Sequence, residues 1–171
     1  KGDEIVMAMV TNPATQEIGY AYKDEPTRII QAGAFGSESF GRNLPLDMKE
    51  DEPVRAYTRM GVNPVLDAIT VDLFTKKQIR HFKSPGGSAA LTFLEVAKGV
   101  YTLARDWNHE SQIYDHTAMK LVTNAGGKTV DIDGCELPLE GFTGLMFSGG
   151  REDHVDQLRQ MVLERLPNAI S

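Results

Sequence analysis

Several features that mark specialised proteins are scarce or missing in this sequence. It has a single cysteine, Cys135, which excludes an internal disulfide framework and favours a reducing compartment, the cytoplasm. It has no apolar run long enough to span a membrane, and it has no signal-peptide pattern. Basic residues number 18 against 24 acidic ones, and no Lys/Arg cluster offsets the net charge of −6. We therefore expect a partner that is neither a nucleic-acid polymer nor a membrane.

The residues that are present have the pattern of a soluble α/β protein. The 171 residues are 41% hydrophobic and 25% charged, which is enough for one domain with a real core. From residue 54 onward, short apolar runs alternate with helical patterns, as in an α/β layer around a buried sheet. Strands are predicted at 54–59, 79–82, 100–105, 128–132 and 145–148. A helix is predicted after Asn63, and another from near Arg151 to Pro167.

The stretch 86–127 organises the rest of the chain, because it holds two helices with marked starts and stops. They are predicted over 88–98 and 115–125, each with an apolar stripe at helical spacing. Ser88 and Asp115 stand at the two starts, and both are ordinary N-cap residues. Both positions could also belong to a functional site. A Gly-Gly-Ser turn leaves N–H groups uncovered for a phosphate oxygen, and Asp115 provides a carboxylate.

Residues 4–22 predict a β-hairpin, with an apolar run at 5–10 and an alternating run at 17–22. Its first strand is apolar on both faces, so we expect it inside a larger sheet. Residues 23–53 are charged and irregular, with one short strand expected at 27–31. The expected fold class is α/β: a layered α/β/α domain with a mixed central sheet, plus this hairpin from a neighbouring antiparallel sheet.

Five short motifs together resemble the second half of the inositol monophosphatase family. They are, in order, Gly87-Ser88-Ala89-Ala90-Leu91, Val96-Ala97-Lys98-Gly99, Tyr114-Asp115-His116-Thr117-Ala118, Asn124-Ala125-Gly126-Gly127 and Asp133-Gly134. The chain departs from the family at Tyr114, where Trp is usual, at Asn124, where Glu is usual, and at His116. The resemblance implies a magnesium-dependent phosphatase that hydrolyses a small phosphorylated polyol, sugar or nucleoside bisphosphate. It also implies a homodimer.

The resemblance assigns roles to a few residues. It implies that Asp115 is a ligand of Mg²⁺, a cation that prefers hard oxygen donors. It implies that the substrate pocket is shaped in part by Gly87, Ser88 and Ala89. The family's loop before the metal-binding aspartate offers a polar group to the substrate, and Glu110 is the candidate here. Weaker candidates in the same region are Arg105, Asn108 and His109.

The family's other metal ligands come from a Glu-Glu pair and an Asp-Pro-x-Asp-Gly-Thr motif, and this chain contains neither. Asp131 and Asp133 resemble that motif locally, but they lie where the family has a structural strand and turn. One carboxylate does not hold a catalytic magnesium pair, so we expect half of an enzyme. Residues 1–45 would belong to the metal-binding half and residues 46–171 would form the C-terminal α/β domain.

Two functions of different class remain open. The first is the C-terminal part of a phosphatase whose missing N-terminal half, or a partner chain, supplies the other ligands. The alternative is a non-catalytic α/β binding or assembly domain of the same fold. A serine hydrolase is disfavoured, because Ser84 and Ser88 lack a Gly-x-Ser-x-Gly elbow. His81 is expected to be structural, His154 is expected to be exposed, and Trp107 fits either a pocket or the core.

Overall fold

The chain forms two β-sheets in a computed structural model that describes residues 5–31, 40–43, 54–58, 63–80, 88–107, 110–138 and 141–169. The first sheet has four antiparallel strands in chain order. They are β1 (Met7–Asn12), β2 (Glu17–Tyr22), β3 (Arg28–Gln31) and β4 (Phe40–Asn43).

The second sheet is mixed and has the strand order β5-β6-β8-β7, with these numbers following the chain. Its strands are β5 (Ala56–Thr58), β6 (Thr102–Trp107), β7 (Lys128–Asp131) and β8 (Gly144–Gly149). β5 and β6 are parallel, whereas β8 runs antiparallel to both of its neighbours, β6 and β7. The central strand β6 is buried at five of its six residues, as expected of a strand covered on both faces.

Five helices complete the described part of the chain. They are α1 (Pro64–Thr75), α2 (Ala89–Ala97), α3 (Ile113–Asn124), α4 (Glu152–Leu163) and α5 (Leu166–Ala169). One hydrophobic cluster joins α2 and α3 to one face of the mixed sheet, and a second joins α1 and α4 to the other face. The α/β/α layering expected from the sequence is therefore confirmed.

The antiparallel sheet forms a fourth layer, on the far side of α2 and α3. Its strands alternate between buried and exposed residues, and the buried residues Ala8, Val10, Ala21 and Ile29 belong to the same cluster as α2 and α3. The predicted hairpin is thus part of a larger antiparallel sheet, as expected, but within the described residues its first strand, β1, lies at the edge of that sheet and not inside it. The strand β4 was not predicted from the sequence. The domain boundary expected at 45–46 lies outside the described residues.

Several details differ from the sequence-based expectations. The stripe of α1 consists of Leu66, Ile69 and Leu73, whereas Phe74, predicted to lie along it, is 44% exposed. The last long helix stops at Leu163 instead of continuing to Pro167. Of the strand predicted at 79–82, the described part contains only a bridge between Arg80 and Arg55.

Candidate functional site

The carboxyl ends of β5 and β6 define one edge of the mixed sheet. The two strands are parallel and adjacent, with Thr58 opposite Ala104. The chain leaves β5 towards α1 on one face of the sheet, and leaves β6 towards α3 on the other. Connections that depart to opposite faces open a crevice between them, which is where α/β proteins usually bind ligands. We therefore take this edge as the candidate site.

Three helices begin at this edge. Asn63 caps α1 by accepting hydrogen bonds from the N–H groups of Val65 and Leu66, at 3.0 and 3.1 Å. The Nδ2 of Asn63 donates to Oδ2 of Asp106 at 2.9 Å, which fixes the start of α1 beside the end of β6. α3 begins shortly after β6. Only residues 98–101 join α2 to the start of β6, so α2 runs back along the sheet and begins near the same edge. Helix starts carry partial positive charge, so their convergence favours an anionic ligand.

Asp115 occupies a different position from the one predicted. The helix α3 begins at Ile113 with Gln112 as its N-cap, so Asp115 is the third helical residue and not the cap. Its carboxylate instead accepts a hydrogen bond from the backbone N–H of Gln112, Oδ2 to N at 3.1 Å. This is one of the two hydrogen bonds of a capping box, the one in which the side chain of the third helical residue accepts the backbone N–H of the N-cap residue.

The surroundings of Asp115 suit a cation. Its side chain is only 4% exposed, although a buried carboxylate without partners is costly. The Gln112 N–H satisfies one oxygen, and the other oxygen accepts no hydrogen bond from any described residue. A metal ion would use such an oxygen. The described residues do not, however, contain a group of three His, Cys, Asp or Glu side chains that could hold one.

The start of α2 is only partly described, because Gly87 and the residues 81–86 before it lie outside the described residues, His81 and Ser84 among them. Ser88 is the N-cap residue by position, as predicted, but its hydroxyl makes no capping hydrogen bond. Ser88 is exposed and Ala89 half-buried. The N–H groups of this first turn are thus left uncovered by the Ser88 side chain, as a phosphate site requires.

The loop between β6 and α3 contains the predicted substrate contact. Glu110 is exposed, whereas Asn108 and His109 lie outside the described residues. The next residue, Ser111, is completely buried and pairs with the loop before β8. Its N–H donates to the carbonyl of Phe142 at 2.8 Å, and its own carbonyl accepts from the N–H of Gly141 at 2.9 Å. The loop that carries Glu110 is therefore anchored to the sheet.

Arg105 and Trp107 lie side by side on one face of β6. The guanidinium carbon of Arg105 lies 3.9 Å from the centroid of the Trp107 ring, a cation–π contact. Trp107 is 2% exposed and its Nε1 donates to Sδ of Met146 at 2.8 Å. Trp107 is therefore a core aromatic residue, the second of the two roles that its sequence position fits.

Two further expectations concern residues away from this edge. Asp131 holds the turn after β7, because its Oδ1 accepts the N–H groups of Asp133 and Cys135 at 2.9 and 2.8 Å. This agrees with a structural role for the turn. His154, expected to be exposed, is instead 8% exposed and buried in the first turn of α4. The prediction was wrong because His154 lies one turn before Leu158 on the buried face of α4.

A groove of about 900 Å³ lies between α3 and the region around β7. It is bounded by His116, Met119 and Lys120 on the helix and by Lys128 and Glu136 near β7. Among the described residues, Ser88, Ala89, Glu110 and Asp115 do not line it. Neither this groove nor the pairing of Ser111 with the loop before β8 was predicted, because both depend on contacts between residues far apart in the sequence.

No helix in the described part of the chain is long and apolar enough to cross a membrane.

Comparison with known proteins finds similar solved structures but no similar family model or curated sequence. No family model matches the sequence, and no curated protein matches it either. The IMPase of Thermotoga maritima superposes with a TM-score of 0.67 at 21% identity, covering 97% of this chain and 59% of its own. The extragenic suppressor protein SuhB of Bartonella henselae gives 0.64 at 19% identity, with coverage of 94% and 59%.

A third solved structure is CysQ of Bacteroides thetaiotaomicron, described as a bacterial member of the inositol monophosphatase family. Its TM-score is 0.60 at 16% identity, and the match covers 86% of this chain and 59% of CysQ. The chain therefore spans about 60% of the length of these solved proteins. Within that length, the described part of the chain has the fold of the inositol monophosphatase family.

Proposed function

We propose that this chain is the C-terminal part of a magnesium-dependent phosphomonoesterase. Its substrate would be a small phosphorylated polyol, sugar or nucleoside bisphosphate. The observation that carries the proposal is the buried carboxylate of Asp115, which has one oxygen anchored by Gln112 and one accepting no hydrogen bond from the described residues. It lies where three helices begin, an arrangement that favours a phosphate group.

The donor chemistry of Asp115 fits magnesium, but the number of donors does not. Mg²⁺ takes about six oxygen ligands, several of them water, and a bound ion of this kind would activate a water and neutralise phosphoryl charge. Asp106 and Glu110 lie at the same edge, but Asp106 is bonded to Asn63, and the described residues contain no group of three side chains that could hold the ion. We infer that the remaining ligands come from a missing N-terminal half or from a partner chain, which is consistent with a match covering 59% of the solved relatives.

Each remaining residue at the edge has a binding role in this proposal. The uncovered N–H groups from Ser88 and Ala89 would bind phosphate oxygens, with Gly87 before them in the same turn. The exposed carboxylate of Glu110 would accept a hydrogen bond from a hydroxyl group of the substrate. Asp115 would hold the metal at the phosphate.

The single exposed cysteine, Cys135, supports a cytoplasmic location for the complete protein, and the homodimer implied by the family resemblance belongs to the same proposal.

The experiment is substitution of Asp115 by Asn in the complete protein. Asn is isosteric, and its amide oxygen still accepts the Gln112 N–H, so the fold should persist. We expect magnesium-dependent phosphate release to fall at least 100-fold, because a neutral amide is a poor ligand for Mg²⁺. The matched control is Asp133→Asn, which makes the same change in an exposed turn and should leave the rate unchanged. Wild-type activity of Asp115→Asn at saturating magnesium would refute the assignment.

The alternative, a non-catalytic binding domain, is favoured by one observation. The described residues contain no cluster of three potential metal-binding side chains. This reading predicts that the protein as it occurs in the cell has no additional half and that it binds phosphorylated ligands without magnesium. The intact mass of the natural polypeptide separates the two functions, because only the enzyme requires a chain or complex much larger than 18.9 kDa.

A further inference from the structure

His116 and Ser111 form a buried polar pair beside the candidate metal ligand. His116 is 5% exposed and Ser111 is 0% exposed. The Nε2 atom of His116 lies 2.8 Å from Oγ of Ser111. The same Oγ accepts the backbone N–H of Phe142 at 3.0 Å. Buried polar groups are costly unless they are paired, so a histidine and a serine paired in this way are coupled to each other.

The Ser111 hydroxyl can serve both partners, because it has one donor position and two acceptor positions. It accepts the N–H of Phe142 while it pairs with Nε2 of His116. Three hydrogen bonds of Ser111, two of its backbone to Gly141 and Phe142 and one of its hydroxyl to Phe142, join the loop after β6 to the loop before β8. The contact with His116 ties the first of these loops to α3.

This connection continues to Asp115 through one residue. Gln112 follows Ser111, and its N–H donates to the Asp115 carboxylate. His116 therefore fixes Ser111, Ser111 fixes the backbone at Gln112, and Gln112 orients the carboxylate. Although His116 is next to Asp115 in α3, it acts on Asp115 through Ser111 and Gln112.

We propose that His116 is a positioning residue, which aims the free oxygen of Asp115 at the metal by holding the 110–112 loop through Ser111. This inference rests on the proposed role of Asp115 as a magnesium ligand. Partners that orient a metal ligand typically change metal affinity by 10- to 100-fold when they are removed, which sets the expected size of the effect.

The local arrangement is tested on the complete protein by hydrogen exchange. We expect His116→Phe and Ser111→Ala to accelerate exchange at the amides of Gln112 and Phe142 by at least tenfold, with no change in the amides of β6. His116→Gln offers a polar group at similar reach and should keep exchange near the wild-type rate. Thr117→Val is the matched control, because it removes a hydroxyl bond on the same helix, to the carbonyl of Ile113, outside this pair.

Metal affinity is tested on the complete protein by calorimetric titration with MgCl₂. The proposal expects a loss of about tenfold in affinity for His116→Phe and Ser111→Ala, with recovery in His116→Gln and no change in Thr117→Val. If Asp115→Asn weakens binding while His116→Phe and Ser111→Ala bind normally, the positioning role is overturned and the proposed function stands. If Asp115→Asn binds magnesium normally, both fail. If His116→Phe does not fold, Ser111→Ala and His116→Gln decide the question.

Discussion

Gly126 and Gly127 follow α3 for two different physical reasons. Gly126 has φ of +81°, the left-handed conformation that commonly ends a helix and that a side chain disfavours. Gly127 has no such conformation, but a Cβ on it would lie 2.3 Å from the carbonyl oxygen of Gly149 and 2.8 Å from Cγ1 of Val122. The first glycine turns the chain, and the second allows α3 to pass close to the end of β8.

This distinction gives a prediction for two adjacent alanine substitutions. Gly127→Ala should lower the free energy of unfolding by about 3 kcal/mol, because the clash is with backbone and cannot be relieved by a side-chain rotation. Gly126→Ala meets no atom within 4 Å and should cost only about 1 kcal/mol, from strain at positive φ. Urea denaturation of both variants measures the difference. Equal losses would mean that the approach to Gly149 is not a close one.

Asn124 illustrates what sequence reasoning reaches at the residue scale and what it does not. The sequence marks Asn124 only as a departure from the Glu usual in the family. In the structure its Nδ2 donates to the carbonyls of Lys23 and Glu25, both at 2.7 Å, so an amide is needed where a carboxylate would face two acceptors. These partners lie about 100 residues away, and nothing in the local sequence around Asn124 indicates them.

At the scale of elements, the antiparallel sheet and the helical layer are joined by a charged contact as well as by apolar packing. Lys98, just after α2, lies 3.1 Å from the carboxylate of Glu17 on β2 and 2.8 Å from that of Glu95. The Lys98 and Glu17 side chains are each only 12% exposed. Burial acts to lower the pKa of Lys98, but the hydrogen bonds to Glu95 and Glu17 outweigh it and the pKa is raised.

Lys98→Met should therefore destabilise the protein substantially, by about 3 kcal/mol, because it removes a lysine that pairs with the largely buried carboxylate of Glu17. The matched control is Lys76→Met. Lys76 makes a similar 2.9 Å contact with Asp72, but the two side chains are 59% and 38% exposed and Asp72 also contacts Arg165, so the loss should be much smaller than that of Lys98→Met. Chemical denaturation of both variants at pH 7 measures the two losses.

The same pair of variants predicts a pH dependence. A lysine whose pKa is raised in the folded state contributes stability that is fully present below its ordinary value of 10.5 and is lost as the pH rises through the folded value. The difference in unfolding free energy between the wild type and Lys98→Met should thus stay constant from pH 7 to 10 and decrease above about pH 10.5. A difference that already decreases near neutral pH would contradict the role of Lys98.

Whole elements were predicted more successfully than their ends. The stripes of α2 and α3 follow helical spacing, and the structure buries the residues expected for them, such as Phe93, Leu94, Leu121 and Val122. The start of α3 was misplaced because Asp115 is a good N-cap residue by type, whereas Gln112 is an uncommon one. The strand β4 was missed because its residues Phe40–Asn43 have no apolar alternation, so its strand state depends on pairing with β3.

At the scale of the whole molecule, the antiparallel sheet presents an apolar outer face. Exposed fractions are 54% for Met7, 58% for Met9 and 42% for Tyr22. Met7 and Tyr22 are cross-strand partners, so these side chains form one surface. β1 is also an edge strand, with no neighbour on its outer side among the described residues. An exposed apolar face beside an open edge promotes association between chains.

The isolated 171-residue chain should therefore fail in two ways at once. It should self-associate through this face. Under the proposed function it should also show no magnesium-dependent phosphatase activity, because that proposal assigns the remaining metal ligands to a further polypeptide. Coexpression of that polypeptide should restore both properties together. Sedimentation velocity and a phosphate-release assay measure the two. A monodisperse and active chain on its own would show that the metal site was wrongly located.

Two substitutions separate these failures. Met7→Lys combined with Met9→Lys changes exposed positions on the outer face, so it should reduce self-association without unfolding the chain and leave it inactive. Ala8→Lys lies between them in sequence but points into the core at 0% exposure, so it should unfold the protein. Activity in the double lysine variant alone would mean that aggregation, and not a lack of metal ligands, keeps the isolated chain inactive. Continued association of that variant would place the interacting surface elsewhere on the molecule.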